Sequence, residues 1–384
     1  MSKKQPVVWN ADPHTIAKID ILKGYLNAWF RILATTVRGA TILYVDGFAG
    51  PGFYRNHHEG SPLAALNAAK ATIHELGDQF IAEKLHCAFI EDRSDRYDLL
   101  VSAAEPFKGI PRLGISILNS EFAAGIELLR TEVPQPFEGA GGLFVFADPF
   151  GGTRIPFSTF ARSIEANTAE LLINLDADGI ARIFSASNPK RESQLTELFG
   201  DESWRSALTA WGDFKKLSIQ VLDLYKRRLL SLPGVDFVWS FAMRGRKDAI
   251  NYHLVFATKH PLGMQKMKEA MRAIDGTGAY TFSDAHAEQE ILFRDDKPEN
   301  YADMIFRQFV GRIVTYRDVN AFVLSNTPFL NAKSILALLE KQGRIQVEPN
   351  RGETRKTGSF PEGKINRLKF AEFDRRSEQR ELGL

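Results

Sequence analysis

The sequence predicts an α/β fold: a mostly parallel sheet with helices on both faces, closed by an antiparallel hairpin and followed by a small basic unit. Three observations carry this. Short apolar runs alternate with helical stretches from residue 40 to residue 176, the rhythm of strands joined by helical crossovers. Two later runs, VDFVWSFAM and INYHLVFAT, are joined only by RGRKDA; a parallel pair needs a crossover of about a dozen residues, so these two are antiparallel. From about Tyr301 the alternation gives way to a helical, then strand-like, Lys- and Arg-rich stretch.

Taken in order, Thr15 to Leu33 reads as a lead-in helix, because Ile16, Ile19, Leu22, Leu26, Trp29 and Leu33 recur at helical spacing. ATILYVD (40–46) is a buried strand running into the glycine-rich loop DGFAGPG. SPLAALNAAKATIHEL follows as a helix with Ser61 as N-cap and Pro62 in the first turn. LHCAFIE (85–91), GISILN (114–119), GGLFVFADP (141–149) and AELLINLD (169–176) supply four more strands. RSDRYDLLVSAAEPF, AAGIELLRTEV and PFSTFARSIEA are the helices between them. Helical stretches near 190–211 and 215–231 precede the hairpin.

The predicted domains are an α/β domain over 1–298, with a helical insertion near 185–231, and a winged-helix-like basic domain over 299–384. In the second, ADMIFRQFVGRIV, TPFLNAKSILALLEKQG, RIQVEPNRGETRKTGSF and KINRLKF read as helix, helix, strand, turn, strand. Lys341, Arg344, Arg351, Arg355, Lys356, Lys364, Arg367 and Lys369 outnumber Glu348, Glu353 and Glu362 there, so a basic surface for nucleic acid is expected, with a solvated hairpin or a protein contact as the plainer readings.

Composition narrows the class. The chain has 384 residues, 44% of them hydrophobic and 25% charged, the balance of a globular protein with a sizeable core. Lys plus Arg number 49 against 47 Asp plus Glu, so any basic surface is local. Cys87 is the only cysteine, which excludes an intrachain disulfide and a zinc site built from this chain's cysteines. No signal peptide or membrane span is evident in the sequence, and a cytoplasmic location is the expectation.

Ligands of open α/β sheets bind outside the carboxyl ends of the strands, and YVDGFAGPG lies at such an end. Gly47, Gly50 and Gly52 permit close backbone approach. Eight residues, FYRNHHEG, separate Gly52 from Ser61; no helix N-terminus follows the glycines to hold a phosphate, and the Lys-Ser or Lys-Thr of a P-loop is absent. A ligand needing a carboxylate and close backbone approach, such as S-adenosylmethionine, fits better than NAD or ATP. Asp46 would meet its cationic amino-acid end, Glu91 the ribose hydroxyls, and Asn119 an adenine edge. Asp148 ends the fourth strand, followed by Pro149, Phe150 and Gly151. Two readings stand for this stretch: Asp148 and the Pro149 carbonyl accept from a substrate amine while Phe150 stacks on its ring, or the stretch is a rigid turn with a core phenylalanine. Arg55, with His57 and His58, lies in the polar loop; Arg244, Arg246 and Lys247 lie in the hairpin turn. These arginines and Lys247 suit a nucleic-acid backbone, or a solvated turn. Asp176 and Asp178 are weaker candidates, for a metal.

A parallel sheet finished by an antiparallel hairpin is the layout of the class I methyltransferase fold. DGFAGPG, GSPLAAL, FIED, DPFG and YHLVFATKHPLGMQKMKEAM, with HTIAKIDILKGYLNAW, resemble the three-Cys-motif partner family. The resemblance implies a methyltransferase-like fold, a site including Gly47, Phe48, Ala49 and Asp92, and a neighbouring cysteine-bearing, radical-SAM-like partner. The start is also similar to ribosomal RNA adenine-N6 methyltransferases, with His14, Lys18, Asp46, Ala49, Gly50 and Gly52 in the matching places; this implies that His14 and Lys18 cap the cofactor pocket. Those enzymes carry Asp-Pro-Pro-Tyr where this chain has Asp148, Pro149, Phe150 and Gly151.

The functional expectation is a methyltransferase using S-adenosylmethionine on nucleic acid, with Asp148 orienting the substrate. Two rivals remain: a nucleic-acid-binding accessory protein retaining the fold, and a metal-dependent hydrolase built on Asp148, Asp176 and Asp178.

Overall fold

The computed structural model describes residues 6–56, 58–149, 156–184, 189–210, 212–245, 250–275, 280–283, 297–361 and 363–372. The chain divides into two compact units, Met1–Asp275 with Tyr280–Glu290, and Gly276–Ala279 with Ile291–Leu384.

The first unit runs α1 (Pro13–Thr36), β1 (Thr41–Asp46), α2 (Ser61–Leu76), β2 (Lys84–Glu91), α3 (Ser94–Ala104), β3 (Leu113–Asn119), α4 (Phe122–Glu132), α5 (Pro134–Phe137), β4 (Gly142–Ala147), α6 (Phe157–Ser163) and β5 (Ala169–Leu175). It continues with α7 (Ala177–Phe184), α8 (Pro189–Phe199), α9 (Trp204–Ala207), α10 (Phe214–Leu230), β6 (Phe237–Arg244), β7 (Ile250–Thr258), α11 (Pro261–Ile274) and β8 (Thr281–Ser283). The sheet order is β3-β2-β1-β4-β5-β7-β6-β8. Strands β1 to β5 are parallel, and β7 is antiparallel to both β5 and β6. This is the Rossmann-like sheet of the class I methyltransferase type that the sequence predicts. Strand order reverses between β1 and β4, and such a switch point opens a crevice at the carboxyl edge.

Burial explains why the central strands read as unbroken apolar runs. Every position of β1 and β4 is buried, as expected for parallel strands covered on both faces. One face (Leu43, Val45, Leu143, Val145, Leu171 and Ile173) packs with Ile126 of α4, Phe160 of α6, Ile180 of α7 and Val221 of α10. On the other face Tyr44, Phe144 and Phe256 form an aromatic cluster with Tyr25 and Trp29 of α1.

Several expectations need correcting. Gly60, not Ser61, is the N-cap of α2, and no side chain caps that end. The helical stretch near 190–211 is two helices, because Gly200 takes φ of +81° after α8, a left-handed stop at a helix end. Helix α7 and strand β8 were not foreseen.

The second unit comprises α12 (Glu299–Phe309), β9 (Ile313–Val314), α13 (Tyr316–Asn326), α14 (Lys333–Lys341), β10 (Ile345–Pro349) and β11 (Ile365–Phe370). Its antiparallel sheet has the order β10-β11-β9, and its core joins Ile305, Phe309, Val323, Leu336 and Leu368. Helix α13, absent from the sequence reading, opens with a capping box between Thr315 and Asp318. Among the described residues no helix is long and apolar enough to cross a membrane.

Arg355, expected to contact nucleic acid, is committed inside this unit. Its guanidinium donates to both oxygens of Glu340, at 2.8 Å and 2.5 Å, and lies 5.1 Å from the Phe360 ring centroid. The two side chains are only 7% and 14% exposed, and Glu340 also accepts from the Gly358 amide at 2.8 Å. A guanidinium so paired has no fork left for a phosphate. Arg355→Ala leaves Glu340 buried without its counter-ion, and should destabilise this unit by on the order of 3 kcal/mol, read as a lower urea midpoint. Arg355→Lys should recover only part of that, since an ammonium cannot reproduce the planar fork.

Candidate functional site

Alternation along the strands decides what gathers at the carboxyl edge. Tyr44 and Asp46 of β1 share the face covered by α1, and β5 and β7 present Asn174 and Tyr252 there. Lys18, one turn into α1, forms an ion pair with Oδ2 of Asp148 just past β4, and Asn174 donates from Nδ2 to the other oxygen, Oδ1, at 2.5 Å. The Lys18 ammonium also lies 5.4 Å from the Tyr252 ring centroid. His14 meets the same ring edge-on at 5.7 Å, and its carbonyl accepts from the Tyr252 hydroxyl at 3.4 Å. His14 and Lys18 thus stand at the strand-end edge, Lys18 as the counter-ion of Asp148.

The glycine loop is tied down on all sides. Gly47 donates to the Phe146 carbonyl at 2.8 Å, Ala49 to that of Ile90 at 3.0 Å, and Gly60 to that of Gly52 at 2.8 Å. The Gly50 amide donates to Oε2 of Glu91 at 2.8 Å, and the Arg93 amide to Oε1 at 3.0 Å. Gly50 and Gly52 take φ of +63° and +86°, which a side chain would strain. Phe48 stacks on Phe122 at 5.4 Å, so it anchors the loop to the core. Phe53 is bridged to Glu59, and the Tyr54 amide donates to the His58 carbonyl at 2.9 Å.

Electrostatics mark Asp46 and Glu91. Burial pushes the fully enclosed Asp46 carboxyl up to about 7, partly opposed by the nearby Ser61 hydroxyl and by the Phe48 amide, which donates to Oδ1, with the charge of Asp148 adding to the rise. Burial also raises Glu91, against the pull of the Arg93 amide and the Arg96 guanidinium. The Tyr44 and Tyr54 phenols are raised by burial, then by the carboxylates of Asp46 and Asp148. Asp46 Oδ2, the Tyr44 hydroxyl and Asn174 Oδ1 are buried without a hydrogen-bond partner. Such orphaned polar atoms are costly unless a ligand or water serves them.

Other expected residues divide. Asp92 is exposed beside Glu91. Asn119 uses its amide on the protein: Nδ2 donates to the Glu91 carbonyl at 2.9 Å and Oδ1 accepts from the Ser94 hydroxyl at 3.1 Å, so it joins β2, β3 and α3 instead of offering a free edge. Arg55 is exposed and donates to the Val8 carbonyl at 3.2 Å. Arg244 ends β6 and donates to the Thr281 hydroxyl at 3.2 Å. Phe150, Gly151, His57, Arg246 and Lys247 lie outside the described residues. Pro149 follows Asp148 at the same edge, and Arg351 and Lys356 are exposed between β10 and β11. Asp176 accepts from the Gly179 amide at 2.7 Å and Asp178 from the Ser218 hydroxyl at 2.6 Å; among the described residues no three His, Cys, Asp or Glu side chains converge to hold a metal.

Sequence reasoning missed Asn174, Tyr252 and Tyr54. Asn174 had a signal, being the one polar residue inside the apolar run LLINL.

No family model matches the chain, and no curated protein matches it in sequence. Among solved structures it is similar to Trm1 from Pyrococcus horikoshii, in complex with S-adenosyl-L-methionine, at 12% identity and a TM-score of 0.39, covering 96% of this chain and 93% of that one. It is also similar to an O-methyltransferase from Bacillus cereus in complex with SAH, at 12% identity and a TM-score of 0.34, covering 62% and 80%. A third is cofactor-bound Rv0187 from MTB, at 11% identity and a TM-score of 0.31, covering 65% and 91%. Likeness at this level carries no functional argument, which rests instead on the site's own geometry.

The raised Asp46 gives a pH signature. The unfolded chain ionises this carboxyl near 3.8 and the folded chain near 7; between those values the folded state binds the extra proton, so stability falls as pH rises. From pH 5 to pH 8 this group alone should cost roughly 2 to 3 kcal/mol. Asp46→Asn should remove that dependence, measured as the difference in urea unfolding between variant and wild type at the two pH values.

Proposed function

We propose that this protein binds S-adenosylmethionine at the carboxyl edge of β1 and β2 and transfers its methyl group to nucleic acid. The observation that carries the reading is the convergence, beside the sheet's switch point, of a glycine loop, a buried carboxyl with an unserved oxygen at Asp46, and the Glu91 carboxyl at the neighbouring end of β2. Acceptors dominate this edge, which suits a cationic, hydroxyl-bearing ligand and disfavours a phosphate. Gly47, Phe48, Ala49, Gly50 and Gly52 would hold it by close backbone approach, Asp46 its ammonium, and Glu91 with Asp92 its ribose. Asn119 supports the wall, and His14 closes the α1 side.

When bound, the cofactor supplies a methyl group already activated on sulfonium, so the protein need only align the acceptor and take up a proton. Asp148, held by Lys18 and Asn174, would accept from a substrate amine together with the Pro149 carbonyl, and Phe150, outside the described residues, is proposed to stack on the base. The order α12, β9, α13, α14, β10, β11 supports a winged-helix reading of the second unit, and its exposed Arg351, Lys356, Arg367 and Lys369 suit phosphates; in the first unit Arg55 and Arg244, with Arg246 and Lys247 outside the described residues, are separately proposed as nucleic-acid contacts. The resemblance to the three-Cys-motif partner family adds a cysteine-bearing partner to the proposal. An accessory protein is the second reading, favoured by one observation: Asp148 already has a counter-ion in Lys18.

Calorimetry with S-adenosylmethionine should show binding to wild type and at least about tenfold weaker binding to Glu91→Ala, in line with losing charge-assisted hydrogen bonds; no binding to wild type would sink the reading. Methyl transfer to mixed RNA and DNA should then vanish in Asp148→Ala, and a binding-competent wild type without transfer would favour the accessory role. Arg351→Ala and Lys356→Ala should each lower the slope of log affinity against log salt by about 1, while Arg355→Lys should leave that slope unchanged.

A further inference from the structure

The three glycines of the loop are not equally covered. A side chain at Gly47 would run into the Phe122 ring at 2.4 Å, and one at Gly52 would meet Leu100 at 3.1 Å. Both neighbours belong to helices of the body, α4 and α3. At Gly50 the nearest atom belongs to Trp9, at 3.8 Å, and Trp9 is on the segment before α1. This segment is held at its edges: the Arg55 amide donates to the Trp9 carbonyl at 2.8 Å, and Arg55 also donates from its side chain to the Val8 carbonyl. Asn56 makes a reciprocal pair with Ala11, accepting from its amide at 3.0 Å and donating to its carbonyl at 3.1 Å. Arg96 donates to the Pro6 carbonyl at 3.1 Å and lies 4.7 Å from the Trp9 ring centroid, and Tyr54 meets that ring edge-on at 5.7 Å.

We infer that residues 6–12 form a cover whose Trp9 closes over Gly50 and the cofactor, with Asn56 as its clasp. The inference rests on the S-adenosylmethionine reading. Two of the three glycines face side chains of the body's own helices, Phe122 and Leu100, so the side of the loop at Gly50, covered by the segment before α1, is the one that displacing that segment can open. Its covering residue is held by a handful of hydrogen bonds and ring contacts, each of modest net worth. Lifting the segment exposes the loop backbone without disturbing the sheet. Laying it down places an aromatic face where a flat, cationic ligand gains from contact. The fold thus gives Trp9 a positioning role toward the ligand, and gives Tyr54, Arg55 and Asn56 the task of gripping the segment that carries it.

Dissociation of S-adenosylhomocysteine, followed by stopped-flow displacement, tests this. Asn56→Ala and Trp9→Ala should each release the ligand about tenfold faster than wild type, and Trp9→Phe no more than about threefold faster. In wild type, hydrogen exchange at the Ala11 and Arg55 amides should slow when the ligand is added. Wild-type dissociation rates in both alanine variants, or unchanged exchange at those amides while the ligand binds normally, would overturn the cover and leave the cofactor reading intact. A wild type that does not bind the ligand at all would overturn both.

Discussion

The ion pair between Lys18 and Asp148 is the interaction on which the arrangement of the site depends. An ammonium only 8% exposed on its side chain is expensive to take out of water. Here the cost is offset by the carboxylate and by the Tyr252 face. Because Asn174 occupies the second oxygen of Asp148, one carboxylate links α1, the end of β4 and β5. Two turns further along the same helix, Tyr25 donates to Glu170 of β5 at 2.5 Å, and Thr258 donates to the other Glu170 oxygen at 2.6 Å. Helix α1 is therefore fixed by polar links near its start, at His14 and Lys18, and again at Tyr25. Those links set its register along the sheet, which aromatic packing alone would leave freer to slide.

Fixing α1 also fixes the polarity of the carboxyl edge. Asp46 and Asp148 meet the Lys18 ammonium there, Glu91 has the Arg96 guanidinium near it, and the loop amides of Gly47, Ala49 and Gly50 are already spent on carbonyls and on Glu91. An anion would find few donors left. A cation finds acceptors, including one at Asp46 whose charge depends on what sits beside it, since burial holds that carboxyl near 7 and a neighbouring positive charge favours its ionised form. The loop is ordered by these bonds before any ligand arrives, which lowers the cost of ordering it on binding.

How much of this was legible in the sequence follows from what each feature requires. The parallel strands were, because burial on both faces makes the central ones, β1 and β4, unbroken apolar runs and the half-buried edge strand β3 still a mainly apolar one. So was the glycine loop with its carboxylates, because they end those runs. Helix α13 was passed over although its signals were visible: Thr315 and Asp318 stand three apart, the spacing of a capping box, and Tyr316, Val319, Phe322 and Val323 recur at helical spacing. Pairings across long separations were not legible. Arg355 and Glu340 lie fifteen residues apart, and a count of basic residues cannot tell a guanidinium pinned in the interior from one facing solvent. Asn119 was read as a free amide for the same reason, its partners being two residues near the start of α3.

The stretch FYRNHHEG shows what the loop's length is for. A glycine loop that runs straight into a helix presents amide donors to a phosphate, but it leaves no backbone edge on which another segment can be clasped. Here Phe53 is bridged to Glu59, and α2 begins only after Gly60 has closed onto Gly52. Arg55 and Asn56 are exposed, and they hold residues 8 to 11 beside the glycines. A helix N-terminus has thus been given up for a grip on the preceding segment. That exchange accords with the proposed ligand, held by acceptors and by close backbone approach. Within the same stretch, Tyr54, Arg55 and Asn56 hold residues 8 to 11 beside the glycine loop.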